Sequence, residues 1–509
     1  MTRIFIGLDS TGTACVKATK DSADNPFNTP DAERTKFHYN SKDAKVAEIA
    51  AIKPEIKVDT GGAWVNNGDG THQRGQYFNA SQFYYESAYE ASAFDNLDYF
   101  CPLVDYKFKD ASGKGVDLEY LSAFSGRTSS GGFAVIGARP NYYLSGVAIP
   151  PGTTIGGDEQ HQIPTTGYTY PVGSGYPSTT VVPFNRIQSY NQKDAYPTGS
   201  AVAVVWNLPG DNVSVLQEAP AVAVPGHKTI HITPSILKIA KPGFDVSTAT
   251  KHQLAFSAEK KPVKIIASGD ILIGATSTTT FDIGFTVDAS IYLDVQYYAN
   301  GGEIYYPADP STNYYGAKYY VSGSTVYFEN AGVECRARFI VIAVDTLGPS
   351  TGSNKVFQQF EEGGQQVVRL LAPGSADPPR LSDIVMDSRW PTMPVLAEGY
   401  ETIAAGAQTV NIDFDNLGMK PFVKLSVIRS SASPVRAFAT QPVVRRLSRT
   451  GYTMGGDAVY GVVTNSDTRF TLSTFRDEPI NALLSGGQVV EWYMPSVIGV
   501  RYYIFGIPA

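Results

Sequence analysis

Two short patterns in the chain have the residue types of known catalytic and metal sites. Residues 348–352 read Gly-Pro-Ser-Thr-Gly, which matches the G-x-S-x-G turn that carries a nucleophilic serine between a strand and a helix. That site also needs a helix directly after the serine and a histidine within reach. Here Gly, Ser and Asn and then a Gln- and Glu-rich stretch follow, and no histidine occurs after His252. We therefore interpret the pattern as a linker turn.

His227 and His231 are four residues apart, the spacing of paired zinc ligands on a helix. The residues around them have the pattern of a strand, and no third ligand accompanies them in the sequence. Cys15, Cys101 and Cys335 are spread too widely for a zinc site or a disulfide framework. We predict no metal site, no cofactor and no catalytic residue, and we expect the cysteines to be buried thiols in a chain that folds in a reducing cytosol.

Three aspartates recur behind a phenylalanine in similar segments, at Asp95, Asp282 and Asp415. A repeated aspartate most often accepts a backbone hydrogen bond in a turn. Glycoside cleavage would need two carboxylates that flank a cleft, and sequence spacing does not identify such a pair. We expect these aspartates to stabilise turns.

The candidate contact residues are four adjacent tyrosine pairs between positions 297 and 320. They are Tyr297, Tyr298, Tyr305, Tyr306, Tyr314, Tyr315, Tyr319 and Tyr320. Exposed tyrosines give a large contact area at a low entropy cost and keep a hydroxyl group for hydrogen bonding. We predict that they contact a neighbouring subunit, and stacking on sugars is the alternative.

The elements that would position these residues recur along the chain. The opening elements are Val16–Asp21, Leu237–Gly243 and Val368–Gly374, the central elements are Phe94–Leu97, Phe281–Gly284 and Phe414–Leu417, and the closing elements are Tyr142–Ile149, Phe339–Val344 and Arg501–Ile507. The later two opening elements start at positions 237 and 368, and the later two central elements start at positions 281 and 414, so the two intervals are nearly equal. Two markers with nearly the same period indicate repeated units, and the longer first unit must contain an insertion.

Apolar and polar residues alternate with a period of two in one segment of each unit, as in Val104–Phe108, Ile291–Tyr297 and Val423–Val427. Side chains alternate between the two faces of a strand, so this pattern predicts one core face and one wetter face. Only Tyr77–Ala93 is expected to form a short helix. We predict an all-β chain of three serial antiparallel β-sandwich domains of the jelly-roll or Ig-like type.

The expected boundaries follow from the repeats and from composition. The units are 1–150, 226–346 and 365–509, with an extended Gly/Pro/Tyr-rich connecting arm at 151–225 and a linker at 347–364. Within the arm only Ala201–Trp206 has the pattern of a firm strand. We expect this arm to pack on neighbouring subunits, because it is too long for a simple loop and too rich in tyrosine for a disordered segment.

Composition excludes several classes of protein. The 509 residues carry a net charge of −7 without a basic stripe, which argues against a nucleic-acid binder. No apolar run approaches the roughly 20 residues that a membrane-spanning helix needs. The first residues, Met1–Gly7, are expected to form the first strand and not a signal peptide.

Two stretches carry a resemblance to a known class of proteins. Leu237–Phe256 and Leu371–Val395 resemble short segments that open β-modules in tail-fibre and tail-tip proteins of tailed bacteriophages. The resemblance implies a structural protein of the virion that folds in the host cytoplasm. It also implies a symmetric homo-oligomer, typically a trimer, that contacts other virion proteins and the host surface.

Three functions are therefore considered. The first is a non-enzymatic virion protein of the tail fibre, tail tip, collar or capsid. The second is a glycan-binding adhesin that recognises host surface polysaccharide through exposed tyrosine loops. The third is a polysaccharide depolymerase, which needs an acidic cleft and lacks here the short repeats of a β-helix.

Overall fold

The computed structural model describes residues 3–21, 23–33, 36–42, 47–55, 60–61, 63, 65–67, 71–79, 82–90, 102–109, 114–116, 181–189, 200–209, 224–233, 236–241, 243–249, 253–257, 263–284, 286–287, 291–306, 316–330, 332–343, 352, 357–362, 365–372, 374–380, 383–387, 393–404, 406–429, 438–440, 447–449, 452–454, 458–464, 466–476, 480–483, 489–492 and 497–508. The strands are, in chain order, β1 (Arg3–Leu8), β2 (Ala14–Thr19), β3 (Phe37–Asn40), β4 (Ile49–Glu55), β5 (Val65–Asn66), β6 (Thr71–Asn79), β7 (Gln82–Glu90), β8 (Pro102–Lys109), β9 (Gly115–Val116), β10 (Val181–Ser189), β11 (Ser200–Pro209), β12 (Ile230–Thr233), β13 (Ile236–Ala240), β14 (Leu254–Ser257), β15 (Lys264–Ile273), β16 (Thr278–Asp282), β17 (Ile291–Tyr298), β18 (Ile304–Tyr306), β19 (Lys318–Ser322), β20 (Thr325–Glu329), β21 (Cys335–Ala343), β22 (Phe357–Glu362), β23 (Gln365–Leu371), β24 (Ile384–Asp387), β25 (Val395–Thr402), β26 (Gly406–Asp413), β27 (Lys420–Arg429), β28 (Phe438–Thr440), β29 (Leu447–Arg449), β30 (Tyr452–Met454), β31 (Ala458–Val463), β32 (Arg469–Arg476), β33 (Ile480–Leu483), β34 (Val489–Trp492) and β35 (Val497–Ile507).

The described residues contain no α-helix, and every strand pair among them is antiparallel. The predicted all-β chain of antiparallel sheets is thereby confirmed. The predicted helix at Tyr77–Ala93 is wrong, because β6 and β7 pair there as a hairpin. Adjacent aromatic residues such as Phe83, Tyr84 and Tyr85 favour a strand, and β7 has a partner on each side, β6 and β10.

Three small sheets, β1-β2-β3, β12-β13-β14 and β22-β23-β24, repeat one pairing pattern. The central strand of each sheet contains most of a predicted opening element. Its register with the third strand shifts by one residue directly after Ala18, Ile239 and Leu370, respectively. The interval from Ile239 to Leu370 equals the interval between the starts of the two later opening elements, as the sequence predicted. We call β1–β11, β12–β21 and β22–β35 the first, second and third repeat.

Three larger groups of strands also share one pattern, with the last strand of each repeat in the centre. These groups are β4-β11-β8, β15-β21-β17 and β25-β35-β27. In each, a one-residue bulge in the first strand is followed by an alanine, at Ala51, Ala267 and Ala397. A bulge at the same place in three strands defines which residues are equivalent between repeats. By this register, Trp206, Ile342 and Phe505 are equivalent, and so are Val204, Ile340 and Tyr503.

This register bears on the elements predicted for the first repeat. The strand equivalent to the later closing elements is β11, which lies within 151–225, the range expected to form an arm. The segments 94–97 and 142–149 lie outside the described residues. In the later repeats, the bonds Ile283 N to Ser324 O (2.7 Å) and Phe414 N to Thr468 O (3.0 Å) make Asp282 equivalent to Asp413. The interval between these two aspartates is the same as that between the opening elements.

The inner faces of the three larger groups meet in one hydrophobic core, which we call the shared core. Its members are Ala47, Leu103, Val204, Trp206, Leu208, Val263, Ile265, Tyr292, Ile340, Ile342, Met393, Val395, Phe422, Tyr503, Phe505 and Ile507. Trp206 of the first repeat stacks on Phe505 of the third, with ring centroids 5.8 Å apart. Backbone bonds link the equivalent positions before each first strand, from Ala47 N to Met393 O (3.1 Å) and from Val263 N to Ala47 O (3.0 Å).

The small sheets converge in the same way. A second core joins Ala18, Ile239 and Leu370, which are the equivalent residues at the bulge of each small sheet. Equivalent side chains from all three repeats meet at both places, so the three repeats share two hydrophobic cores.

The first and second repeats each also contribute a short strand to a sheet of the repeat that follows. The short strand β9, which follows β8 of the first repeat, pairs with β19 of the second repeat at Gly115 and Tyr319. In the same way β18, which follows β17 of the second repeat, pairs with β31 of the third repeat. The outer sheets of the second and third repeats are therefore each extended by a strand from the preceding repeat.

The shared core holds a buried ion pair. Asp294 of the second repeat contacts the ammonium group of Lys424 in the third, and the two side chains are 2% and 7% exposed. Asp294 and Lys424 are equivalent positions, opposite Ile340 and Tyr503. The alternation in the sequence had predicted a wetter face here. That prediction is wrong, because the second face of β17 and of β27 packs against the other repeats.

We expect Asp294→Asn to lower the free energy of unfolding by about 3–5 kcal/mol, because it leaves the buried Lys424 charge without its carboxylate. The double variant Asp294→Leu/Lys424→Met should recover most of this loss, since both charges are removed together and a methionine can still pack near Trp206 and Phe422. Urea unfolding measures both values. A cost for Asp294→Asn no larger than that for Asp413→Asn, which breaks an exposed pair with Arg469, would contradict this role.

Candidate functional site

Four of the eight predicted contact tyrosines are buried within the chain itself. Tyr297, Tyr298, Tyr306 and Tyr319 are 1%, 8%, 3% and 8% exposed, respectively. The hydroxyl of Tyr297 donates to the carbonyl oxygen of Ala317 at 2.9 Å. The expected exposure does not hold for these four side chains, because strands of the same chain cover them.

The remaining tyrosines differ in position. Tyr305 lies in the exchanged strand β18, opposite Val462 of the third repeat. Tyr314 and Tyr315 lie outside the described residues. Tyr320 is partly exposed on the outer sheet of the second repeat. Contact with a partner or a glycan therefore stays a prediction, and Tyr320 is the described tyrosine of the eight with a partly exposed side chain to test it.

Tyr320 forms a ladder of side chains across the outer sheet. Its ring is parallel to that of Tyr327, with centroids 4.8 Å apart and an interplanar angle of 2°. Lys114 of the first repeat lies over the Tyr320 ring, 4.7 Å from its centroid, and pairs with Glu329 at 2.6 Å. Thr280 is the cross-strand neighbour of Tyr327 on the other side. We call Lys114, Tyr320, Tyr327, Thr280 and Glu329 the tyrosine ladder.

The tyrosine ladder of the second repeat has no counterpart in the third repeat. The equivalent places in the third repeat are occupied by Asn411, Thr471 and Val462. There the Thr471 hydroxyl donates to the Asn411 side-chain oxygen at 2.9 Å. Since the same pairing forms with small residues that are not aromatic, the fold does not require two stacked aromatic rings at this position.

A network of charges joins the second and third repeats. The Asp270 carboxylate pairs with Arg336 and with Arg338, each at 3.0 Å, and with Lys420 at 3.4 Å. Arg338 continues to Asp467 of the third repeat at 3.1 Å. We call these five residues the Asp270 network.

Burial and hydrogen-bonding or charged partners have opposite effects on the pKa of Asp270, at the centre of the Asp270 network. Burial raises the pKa of Asp270, but the Tyr298 hydroxyl and the charges of Arg338 and Arg336 outweigh it and lower that pKa. Burial, together with the hydrogen bond to Asp270, raises the pKa of Tyr298 to about 12. Arg338 also donates to the carbonyl oxygen of Pro421 at 3.0 Å, so its buried guanidinium has several acceptors.

A second charged cluster supports the small sheet of the first repeat. Asp9 accepts from Lys17 at 2.8 Å and from Lys42 at 2.6 Å, and Asp31 is within 2.7 Å of both lysines. Burial raises the pKa of Asp9, but its contacts with Lys17, Lys42 and Thr11 hold that pKa well below its usual range. Each charge here has an opposite charge beside it, so the arrangement stabilises the chain.

The aspartates predicted to stabilise turns do so where they are described. Asp282 accepts from the Gly284 amide and Asp415 accepts from the Leu417 amide, both at 2.9 Å. Asp95 lies outside the described residues. The residues after each aspartate include positive φ angles, at Gly284 (89°) and at Leu417 (54°), which the aspartate bond helps to hold.

The other sequence candidates are not brought together into a site. His227 contacts the carbonyl oxygen of Gly243 at 3.2 Å, and His231 lies in β12 opposite Lys238. Ser350 lies outside the described residues. A Cβ atom added at Gly352 would lie 2.4 Å from the Ser375 carbonyl oxygen, so a close backbone contact explains this glycine.

Cys15 and Cys335 are buried free thiols, as predicted, and Cys101 lies outside the described residues. Burial, with a smaller contribution from Asp9, raises the pKa of Cys15 to about 11. A thiol with that pKa is a poor nucleophile near neutral pH. Within the described residues, no group of three or more His, Cys, Asp or Glu side chains could hold a metal ion.

Sequence reasoning missed both the Asp270 network and the tyrosine ladder. Arg336 and Arg338 did carry a signal, because two arginines within an otherwise apolar strand need buried acceptors. The partner of Tyr320 could not be found, since Lys114 comes from a distant part of the chain, in the preceding repeat.

Comparison of the chain with protein-family models, curated proteins and solved structures gives no match. None of the described segments is a helix long and apolar enough to cross a membrane.

We expect the protein to lose stability as the pH falls below about 4, the usual aspartate pKa in an unfolded chain. The folded pKa of Asp270 is lowered, so its contribution is complete above the unfolded pKa and disappears as the pH falls through the folded value. Asp9 and Asp31 act in the same direction. Urea unfolding at pH 7, 4, 3 and 2 measures the slope.

Asp270→Asn should flatten this slope, whereas Asp415→Asn, in an exposed turn, serves as the control. An equal slope in the native protein and in Asp270→Asn would contradict the assignment of acid sensitivity to the Asp270 network.

Proposed function

We propose that the chain is a non-enzymatic structural component of a tailed-bacteriophage virion that contacts other virion proteins. The observation that carries this proposal is the shared core, in which side chains of all three repeats are buried together. Such packing favours a rigid body over one with a mobile cleft, and rigidity is what a tail or capsid component needs.

The use of charged residues supports the same conclusion. Among the described residues, the buried acids Asp9, Asp294 and Asp387 are each paired with arginine or lysine, and so is Asp270, whose side chain is largely buried. The partners of Asp9 and of Asp270 lower the pKa of each carboxyl group, which suits a structural ion pair, whereas a general acid needs a pKa raised towards neutrality.

We further propose that each repeat is an antiparallel sandwich of the jelly-roll or Ig-like type. In the second repeat, β15-β21-β17 packs against β16-β20-β19 through residues such as Phe339, Phe328 and Phe281. Phe339 lies 5.2 Å from Phe328 and 5.1 Å from Phe281, measured between ring centroids. Two facing sheets with aromatic residues between them support this class.

The position in the virion is tested on purified particles. We expect mass spectrometry of particles, purified from cells that encode this chain, to detect it at a fixed copy number. Antibody labelling in electron micrographs should place it at one site on the tail or the head. Particles that lack the chain but are complete and infectious would overturn the proposal.

Binding of host glycans is the second candidate function, and the tyrosine ladder favours it. Two parallel aromatic rings lie among the hydroxyl-bearing residues Thr280, Ser322 and Thr325 on one outer sheet. The charges of Lys114 and Glu329 neutralise each other there, which suits a neutral polyhydroxylated ligand. The tyrosines are not needed for pairing, because the third repeat forms the same pairing without them.

A glycan array tests this candidate with matched variants. If the ladder binds sugar, Tyr327→Ala should weaken binding at least tenfold, a usual loss for a buried aromatic contact. Thr471→Ala, at the equivalent place in the third repeat, should leave binding unchanged. Equal binding by the native protein and both variants would exclude the ladder as the sugar site.

A further inference from the structure

We infer that one chain forms a complete threefold unit by itself, in which the three repeats take the places that three subunits take in a trimer. The surfaces between repeats would then be obligate interfaces, and each repeat would need its neighbours to stay folded. The inference replaces the expected association of three chains and does not depend on the location of the protein in a virion.

The first support is the equivalence of the residues in the shared core. Trp206, Ile342 and Phe505 occupy one structural position in three repeats, and all three are buried in the same cluster. Equivalent residues of subunits meet in this way around the axis of a symmetric trimer. In independent domains each would lie in a core of its own.

The second support is the direction of strand exchange. The first repeat donates β9 to β19 of the second repeat, and the second repeat donates β18 to β31 of the third. In each case the acceptor strand is followed along the chain by its hairpin partner in the same outer sheet, β20 or β32. Two successive donations in the same sense match the pattern of subunits in a ring, in which donated elements tie neighbours together.

The third support is chemical. Ion pairs cross the boundary between the second and third repeats, from Asp294 to Lys424 and from Arg338 to Asp467. All four side chains are largely withdrawn from water. Separation of the repeats would therefore leave each charge without its partner, either still buried or newly exposed to water. These buried ion pairs therefore oppose separation of the two repeats.

The inference also has a consequence for binding. A trimer of identical subunits offers three identical faces, whereas this unit carries the tyrosine ladder on the second repeat and small residues without aromatic rings at the equivalent places of the third. A ligand that recognises the ladder should therefore not bind the third repeat.

The test is a cut in the full-length chain between the second and third repeats. A specific protease sequence is inserted between Ala343 and Phe357, where β21 ends and β22 begins. After cleavage, we expect the two pieces to elute together at the mass of one chain, 54.9 kDa plus the insertion, and to unfold in one transition. Pieces that separate and each unfold cooperatively would overturn the inference, as would an uncut protein with the mass of three chains.

Two aspartate variants make the test specific. Asp467→Asn removes the carboxylate that Arg338 contacts across the cut, and we expect the cut pieces to bind each other at least tenfold more weakly. Asp413→Asn removes an exposed carboxylate that pairs with Arg469 inside the third repeat, and it should not change the association. Equal association of the pieces in both variants would contradict an interface at Arg338.

Discussion

The structure depends on one constraint, which is that a single apolar interior must be filled from three repeats at once. Each repeat supplies the inner face of a three-stranded group, and these faces cover one another. Trp206, Ile342 and Phe505 differ in volume although their positions are equivalent. Their sizes must therefore complement one another, because interiors pack to nearly crystalline density.

A second constraint, contact between paired strands on the faces that point away from the shared core, shows where the repeats have diverged. Gly269 and Gly399 are equivalent, and each lies under an aromatic ring of the central strand, Phe339 or Tyr502. A Cβ atom at Gly269 would lie 2.7 Å from the Phe339 ring, and one at Gly399 would lie 2.3 Å from the Tyr502 hydroxyl. In the first repeat the pair at this position is Lys53 with Ala203, so the two members change together. The residue types at these paired positions thus depend more on contact between the two strands than on similarity between the repeats.

The sequence was sufficient to predict the all-β class and the interval between the later two opening elements. These signals are local, since strand alternation and a Pro-Gly turn leave a mark in a few residues, as at Gly243 and Gly374 with their positive φ angles. The central elements were predicted to align Phe281 with Phe414, whereas the structural register aligns Asp282 with Asp413. A Phe-Asp dipeptide that recurs in the sequence therefore does not show which residues are equivalent in the hydrogen-bond register of the strands.

Burial by distant strands was not predictable from the sequence. Asp294 and four of the contact tyrosines are covered by strands from other parts of the chain, so their local pattern gives no sign of it. The alternation around Asp294 is that of a strand with one wet face, and only the third repeat, through Lys424, makes that face dry. The tyrosine ladder was not predictable for the same reason, because its lysine, Lys114, comes from the first repeat.

The strands donated between repeats determine when parts of the chain can pair during synthesis. The strand β9 ends at Val116 and its partner β19 begins at Lys318, so the donor leaves the ribosome long before its acceptor exists. At usual elongation rates this interval is about 10 to 40 s, far longer than a hairpin needs to form. The nascent first repeat must wait during that time with an unpaired edge, which makes protection of this edge a requirement of folding in the cell.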